Sequence, residues 1–223
     1  MTSPDDRTPP TPWITPHGLS PGGRALVRLS AALALAGEAR LDEALEECRR
    51  RADPREVEEV ILQSYLFLGY PAALNAFARW REVSGRAAPE AVDEVWEGWA
   101  RRGEDVCRRV YGGQYGRLRE NVRALHPDME RWMVVEGYGK VLGRPGLALE
   151  ARELCIAALL AALGAPTQLH SHLRGALNVG APPDVVEEAV ELACGELARW
   201  PGPGDLSARC REARKVWGRV RGG

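Results

Sequence analysis

No two cysteines in this 223-residue chain are spaced C-x-x-C, lysine is nearly absent, and no apolar run approaches the length of a bilayer span. Each scarcity excludes something. The five cysteines, Cys48, Cys107, Cys155, Cys194 and Cys210, are odd in number and scattered, which argues against a disulfide framework or a zinc ribbon. Buried reduced thiols are the expectation. Lys140 and Lys215 are the only lysines among thirty basic residues, and the net charge is −1, so no global basic field draws nucleic acid or an anionic membrane. The longest apolar run, Leu154 to Leu163, suits a buried helix; a membrane span needs about 20 residues. Residues 1–21 hold six prolines and no apolar leader core. They read as a disordered or loosely strapped arm without a secretory signal, and the cytoplasm is the expected address.

What is present is helical periodicity, from Pro21 almost to the end, with no convincing strand. Helices are expected over about 23–35 and 39–51. The run Asp53-Pro54-Arg55-Glu56 then has a cap, a first-turn proline and a capping-box glutamate in the right order. Its stripe of Val57, Val60, Ile61, Tyr65 and Leu68 ends at Gly69-Tyr70-Pro71, and a further helix runs to about Val83. Residues 84–89 read as a linker. Beyond it, Val92, Val95, Trp96, Trp99 and Val106 keep the helical period, with a break expected near Gly103. Turns at 111–113 and 143–146 bracket short helices at 114–125 and 127–139. Helices over 148–163, 166–179, 183–197 and 205–219 complete the chain, with Trp200 to Gly204 as the last turn.

The chain repeats itself. Residues 52–59 resemble residues 181–188, and the stripe Val57, Val60, Ile61, Leu68 falls on Val186, Ala189, Val190, Leu197. A three-helix unit therefore occurs twice. The organisation expected is an arm (1–21), an N-terminal degenerate repeat (22–84), a helical connector packing on both halves (85–147) and a C-terminal repeat carrying the candidate site (148–223).

Residues 152–181 carry the chemistry. Leu169, Leu173, Ala176 and Leu177 share one face of the helix over 166–179, and His172 lies within that stripe. His170 lies at its opposite edge and Arg174 points toward solvent. Glu153 opens the preceding all-apolar helix. Folding the two back as a hairpin leaves a stagger of roughly 7 Å between Glu153 and His172, so contact depends on the crossing angle. A first-turn glutamate alone is explained by the helix dipole, and a lone histidine on an apolar face by core packing. Together they form a tuned proton donor or acceptor, expected to converge at the wall of a hollow.

Arg152-Glu153-Leu154, the small-residue helix after it, and Gln168 to Ala181 resemble the signature of the carboxymuconolactone decarboxylase and alkylhydroperoxidase D superfamily. Residues 138–147 resemble its lead-in, and residues 63–76 its closing helix and Gly-aromatic-Pro turn. The resemblance implies an all-α helical bundle made of two tandem degenerate repeats, oligomeric, with a trimer of two-repeat chains mimicking a hexamer. In the alkylhydroperoxidase branch a C-x-x-C pair accompanies the glutamate and histidine. Here the two cysteine positions fall on Ala165 and Gln168, so thiol peroxidase chemistry is excluded at its usual place.

The decarboxylase branch lacks those cysteines and uses neither metal nor organic cofactor. The resemblance carries Glu153 and His172 over as catalytic residues. Arg174, Gln168 and His170 become substrate contacts, and Tyr65 and Tyr70 candidate walls from the first repeat. It implies a lyase or related enzyme acting on a small carboxylated or lactone substrate. Two alternatives stand: a non-catalytic binding or assembly protein, or a redox protein using Cys155 or Cys194. In the first repeat the positions matching Glu153 and His172 are Arg24 and Glu43, or Ala25 and Ala44 with one gap, so one composite site per chain is expected.

Overall fold

A computed structural model describes residues 13–35, 37–90, 94–199 and 205–222. The expected positions Val92 and Trp200 to Gly204, and the first twelve residues of the arm, lie outside them. Two short strands, β1 (Ile14–Thr15) and β2 (Gly18–Leu19), pair antiparallel with Ile14 opposite Leu19, contrary to the expectation of no strand. Trp13 beside them is buried, and its indole N–H donates to Glu56 at 2.9 Å.

The rest is helical. Helices α1 (Pro21–Leu33), α2 (Glu38–Arg51) and α3 (Pro54–Ser84) come first. Ser20 caps α1 by accepting from the Gly23 N–H, and Asp53 caps α3 by accepting from the Arg55 N–H. Inside α3, Gly69 adopts φ 79°, ψ 168°. Only glycine takes this conformation without strain, and it divides the helix where the Gly-aromatic-Pro turn is expected. By length and composition α3 is the one described helix that passes as a bilayer span; the Gly69 break leaves two segments shorter than the ~20 residues required.

The connector holds α4 (Trp96–Tyr111), a 3₁₀ turn at Gly112–Gln114, α5 (Tyr115–Leu125), α6 (Pro127–Trp132) and a π-helical segment, Met133–Leu142. Gly103 does not break α4. A Cβ there would sit 2.1 Å from the Val134 carbonyl oxygen, and one on Gly139 would sit 2.0 Å from that of Trp99. Both glycines let α4 and the π segment touch backbone to backbone.

Helices α7 (Leu149–Leu163), α8 (Pro166–Asn178), α9 (Pro183–Arg199) and α10 (Leu206–Arg221) finish the bundle. As the apolar girth of its sequence predicts, α7 is the core helix, buried from Ala151 through Ala162. It packs against α1, α8 and α9, while α1 packs against α2, α3, α7 and α9. Helices α9 and α10 run antiparallel, joined by ion pairs Glu191–Arg214 and Glu187–Arg221. Cys194 and Cys210 form a disulfide across them, with Cα atoms 5.2 Å apart. Reduced thiols are thus found only at Cys48, Cys107 and Cys155, all buried. Sequence spacing cannot anticipate that antiparallel neighbours place two distant cysteines face to face.

Matching features recur at a fixed interval. Helices α1 and α7 begin 128 residues apart, as do α2 and α8. Gly18 and Gly146, at the same interval, have φ of 106° and 97°. Each lies against a glutamate, Glu188 and Glu59 respectively. Glu188 pairs with Arg24 at 2.5 Å, and Glu59 with Arg152 at 2.8 Å. Each ion pair ties the third helix of one segment to the first helix of the other.

Candidate active site

Glu153 lies on the second turn of α7, and His172 sits midway along α8. The hairpin turn between them is closed by Gly164 in the left-handed region, φ 79°. His172 Nδ1 and Glu153 Oε2 are 2.8 Å apart, so the crossing angle absorbs the stagger expected from the sequence. Glu153 is 0 % and His172 7 % exposed. With the carboxylate ionised, Nδ1–H donates to Oε2. That fixes the tautomer and leaves Nε2 as the working nitrogen, a base when neutral and an acid when protonated.

Gly175 makes the contact possible. It stands one turn beyond His172 on the same face, and a Cβ there would lie 2.6 Å from Glu153 Oε2 and 2.8 Å from Val110 Cγ1. The backbone of α8 therefore comes close to the carboxylate only because residue 175 has no side chain. The spacing to His172 was legible in the sequence, and the reason for glycine was not.

The first segment does contribute an aromatic wall, but not the one expected. Phe67 sets its ring edge-on to the His172 imidazole, with centroids 5.6 Å apart. Tyr65 and Tyr70 instead stack on each other at 5.0 Å, and the Tyr65 hydroxyl donates to Glu136. Burial and Glu136 push the Tyr65 phenol well above its ordinary range. Helical spacing within α3 does not reveal which of these rings reaches the imidazole.

The other sequence candidates sit farther out. Gln168, one turn before His172, is exposed, and His170 is half-buried. Arg174 is exposed; two residues along a helix do not share a face, so it does not join His172. The three described clefts, two of about 490 Å³ and one of about 240 Å³, are lined by neither Glu153 nor His172. Phe67 packs edge-on against the imidazole, and His172 keeps 7 % of its surface exposed.

The connector supplies groups that the sequence did not mark. Cys107 and Tyr111 from α4 and Tyr138 from the π segment all feel the Glu153 charge. Burial, reinforced by that carboxylate, pushes the Cys107 thiol up to about 12 and raises both phenols well above their usual value. All three stay protonated. Cys155 is likewise raised by burial and Cys194 is in the disulfide, so neither offers an exposed thiolate. Among the described residues no three His, Cys, Asp or Glu side chains group as metal ligands.

Beside Glu153, Arg152 is wholly buried. It donates to Glu59 Oε2 at 2.8 Å and to the Arg144 carbonyl at 3.1 Å. Desolvation lowers its pKa while Glu59 opposes the shift. This pair anchors the start of α7, and with it Glu153, to the first segment.

Comparison with known sequences agrees with this geometry. The pattern of the carboxymuconolactone decarboxylase family matches residues 127–201, a span that includes both members of the pair. A 4-carboxymuconolactone decarboxylase of Acinetobacter baylyi is 32% identical over 102 residues, covering 45% of this chain and 75% of that enzyme. Peroxisomal protein 2 of Schizosaccharomyces pombe is 28% identical over 145 residues, covering 61% of this chain and 66% of that protein.

Proposed function

The chain belongs to the carboxymuconolactone decarboxylase family, and from that premise we propose that it is a cofactor-independent lyase or related enzyme acting on a small carboxylated or lactone substrate. The observation that carries this reading is the 2.8 Å contact between a buried carboxylate and an imidazole that is 7 % exposed. His172 is the acid–base group, and Glu153 holds its tautomer and balances its charge. In a decarboxylation the imidazolium gives its Nε2 proton to the carbon that loses CO2. The electron pair of the breaking C–C bond stays on that carbon, shared with a neighbouring carbonyl, and becomes the new C–H bond. Histidine is left neutral and takes its next proton from solvent. Gln168 flanks the approach, Phe67 forms its apolar wall, and Arg174 attracts a substrate carboxylate from the solvent side.

We read α1–α3 and α7–α9 as two copies of one unit, fused so that only the second keeps its acid–base pair. Helix starts 128 residues apart and the reciprocal glutamate–arginine ties support this reading. At that interval Glu153 and His172 fall on Ala25 and Ala44, both buried. One active site per chain follows, completed by Phe67 from the other unit.

The test is turnover of 4-carboxymuconolactone, followed by CO2 release. His172→Ala is expected to lose at least ~100-fold in kcat, the usual worth of a positioned acid–base group, with its helical circular dichroism intact. Glu153→Gln is expected to lose less, because the imidazole survives. Wild-type rates in His172→Ala end this reading.

A further inference from the structure

The hydrogen-bond accounting around Glu153 is incomplete. Oε2 serves His172, but Oε1 is buried and has no partner among the described residues. A buried carboxylate oxygen left without a donor is rare in folded proteins. The place to look for the missing donor is the end of α4. Val110 Cγ1 and Glu153 Oε2 both crowd the position of a Gly175 Cβ, and Asn178 Nδ2 donates to the Val110 carbonyl at 2.8 Å. The last turn of α4 is thereby fastened over the carboxylate.

Tyr111 follows Val110 directly. Its hydroxyl is 3.0 Å from that of Tyr138, and the two rings meet edge to face with centroids 5.8 Å apart. Two phenols carry two protons, and one hydrogen bond between them uses one. Whichever tyrosine donates, one phenol proton is left over, while Glu153, whose charge raises both phenols, has an acceptor oxygen that lacks a donor. Tyr138 projects from a π-helical segment, a geometry found disproportionately at functional sites.

We propose that the remaining phenol proton of the Tyr111–Tyr138 pair reaches Glu153 Oε1 through one water or a small side-chain movement, making both tyrosines positioning residues for the His172–Glu153 pair. This rests on the reading that the pair is the acid–base centre. The two hydroxyls hold the carboxylate turned toward Nδ1. Helix α4 and the π segment, which lie outside both proposed units, would thus complete the one surviving site. The remaining titratable neighbour is Cys107 from α4, held neutral; Phe67 from α3 and Gly175 from α8 carry no charge.

The test is a pH titration of the His172 ring by 15N NMR in the full-length chain, which needs no substrate. Tyr111→Phe and Tyr138→Phe each remove one hydroxyl and keep the ring. Losing a donor to the charged form makes the carboxylate more basic, so the protonation midpoint of the pair is expected to rise by about half to one pH unit. Tyr115→Phe, whose hydroxyl accepts from Arg119, is the control and is expected to leave the midpoint unmoved. If Tyr138→Phe, the more deeply buried change, unfolds the chain, Tyr111→Phe alone decides. Midpoints equal to wild type in the folded variants overturn the proposal. A shifted midpoint in a chain with no lyase turnover upholds the tyrosine network while removing the enzyme reading.

Discussion

Helices α1–α2 and α7–α8 start 128 residues apart and share part of their apolar pattern. Leu41, Leu45 and Cys48 stand where Leu169, Leu173 and Ala176 stand, 128 residues later. Among the positions at which they differ, three bear on the site. The second pair has Glu153, His172 and Gly175; the first has Ala25, Ala44 and Glu47. An acid–base pair inside a helical core needs both polar partners and a gap in the facing helix. Removing all three together leaves an apolar core at no electrostatic cost, whereas removing one strands a buried polar group. The ties that hold the segments together differ in the same sense. Arg152–Glu59 is buried (0 % and 11 % side-chain exposure), while Arg24–Glu188 is open (46 % and 22 %).

The largest expected effect comes from the buried tie. Glu59→Gln leaves Arg152 charged and uncompensated, and is expected to cost about 3–5 kcal/mol of stability in chemical denaturation. The matching Glu188→Gln is expected to cost at most about 1 kcal/mol. Equal losses would break the contrast between the two ties.

A double-mutant cycle probes the two cores next. Ala25→Glu buries a lone carboxylate and is expected to destabilise by about 3 kcal/mol. Adding Ala44→His on a Glu47→Gly background is expected to recover at least ~1 kcal/mol by coupling. Strict additivity would show that positions 25 and 44 do not correspond to 153 and 172.

Gly175→Ala gives a smaller loss than Glu59→Gln but an informative sign. Inside an ordinary helix this change stabilises by up to about 1 kcal/mol. Here the new methyl meets Glu153, so a loss of about 1–3 kcal/mol is expected, together with lowered turnover. A stabilised, fully active variant would mean that the carboxylate does not need the gap.

Much of the fold was legible in the sequence because helix signals are local. The Asp53-Pro54 start, the Gly69-Tyr70-Pro71 break and the Gly143 to Gly146 stop all stand where capping and turn chemistry place them. Glu153 and His172 could be selected because residues on consecutive helices of a short hairpin have few ways to miss each other. The failures were non-local. Gly103 looked like a breaker because nothing in a single helix reveals that Val134 lies 2.1 Å from its would-be Cβ. Tyr65 was chosen over Phe67 because it lies on the apolar stripe of its helix, and helical spacing does not show that Phe67 meets the His172 ring.

The sequence by itself determined the helices, their order and the residue types able to exchange a proton, since periodicity, caps and stops act within a few residues of one another. Tertiary structure alone decided that Glu153 and His172 meet at 2.8 Å, that Phe67 faces them, and that Tyr111 and Tyr138 approach from the connector. It also decided that Cys194 and Cys210 are joined. Those outcomes depend on how helices cross, which is set by the packing of many side chains at once and is written in no single stretch of the chain.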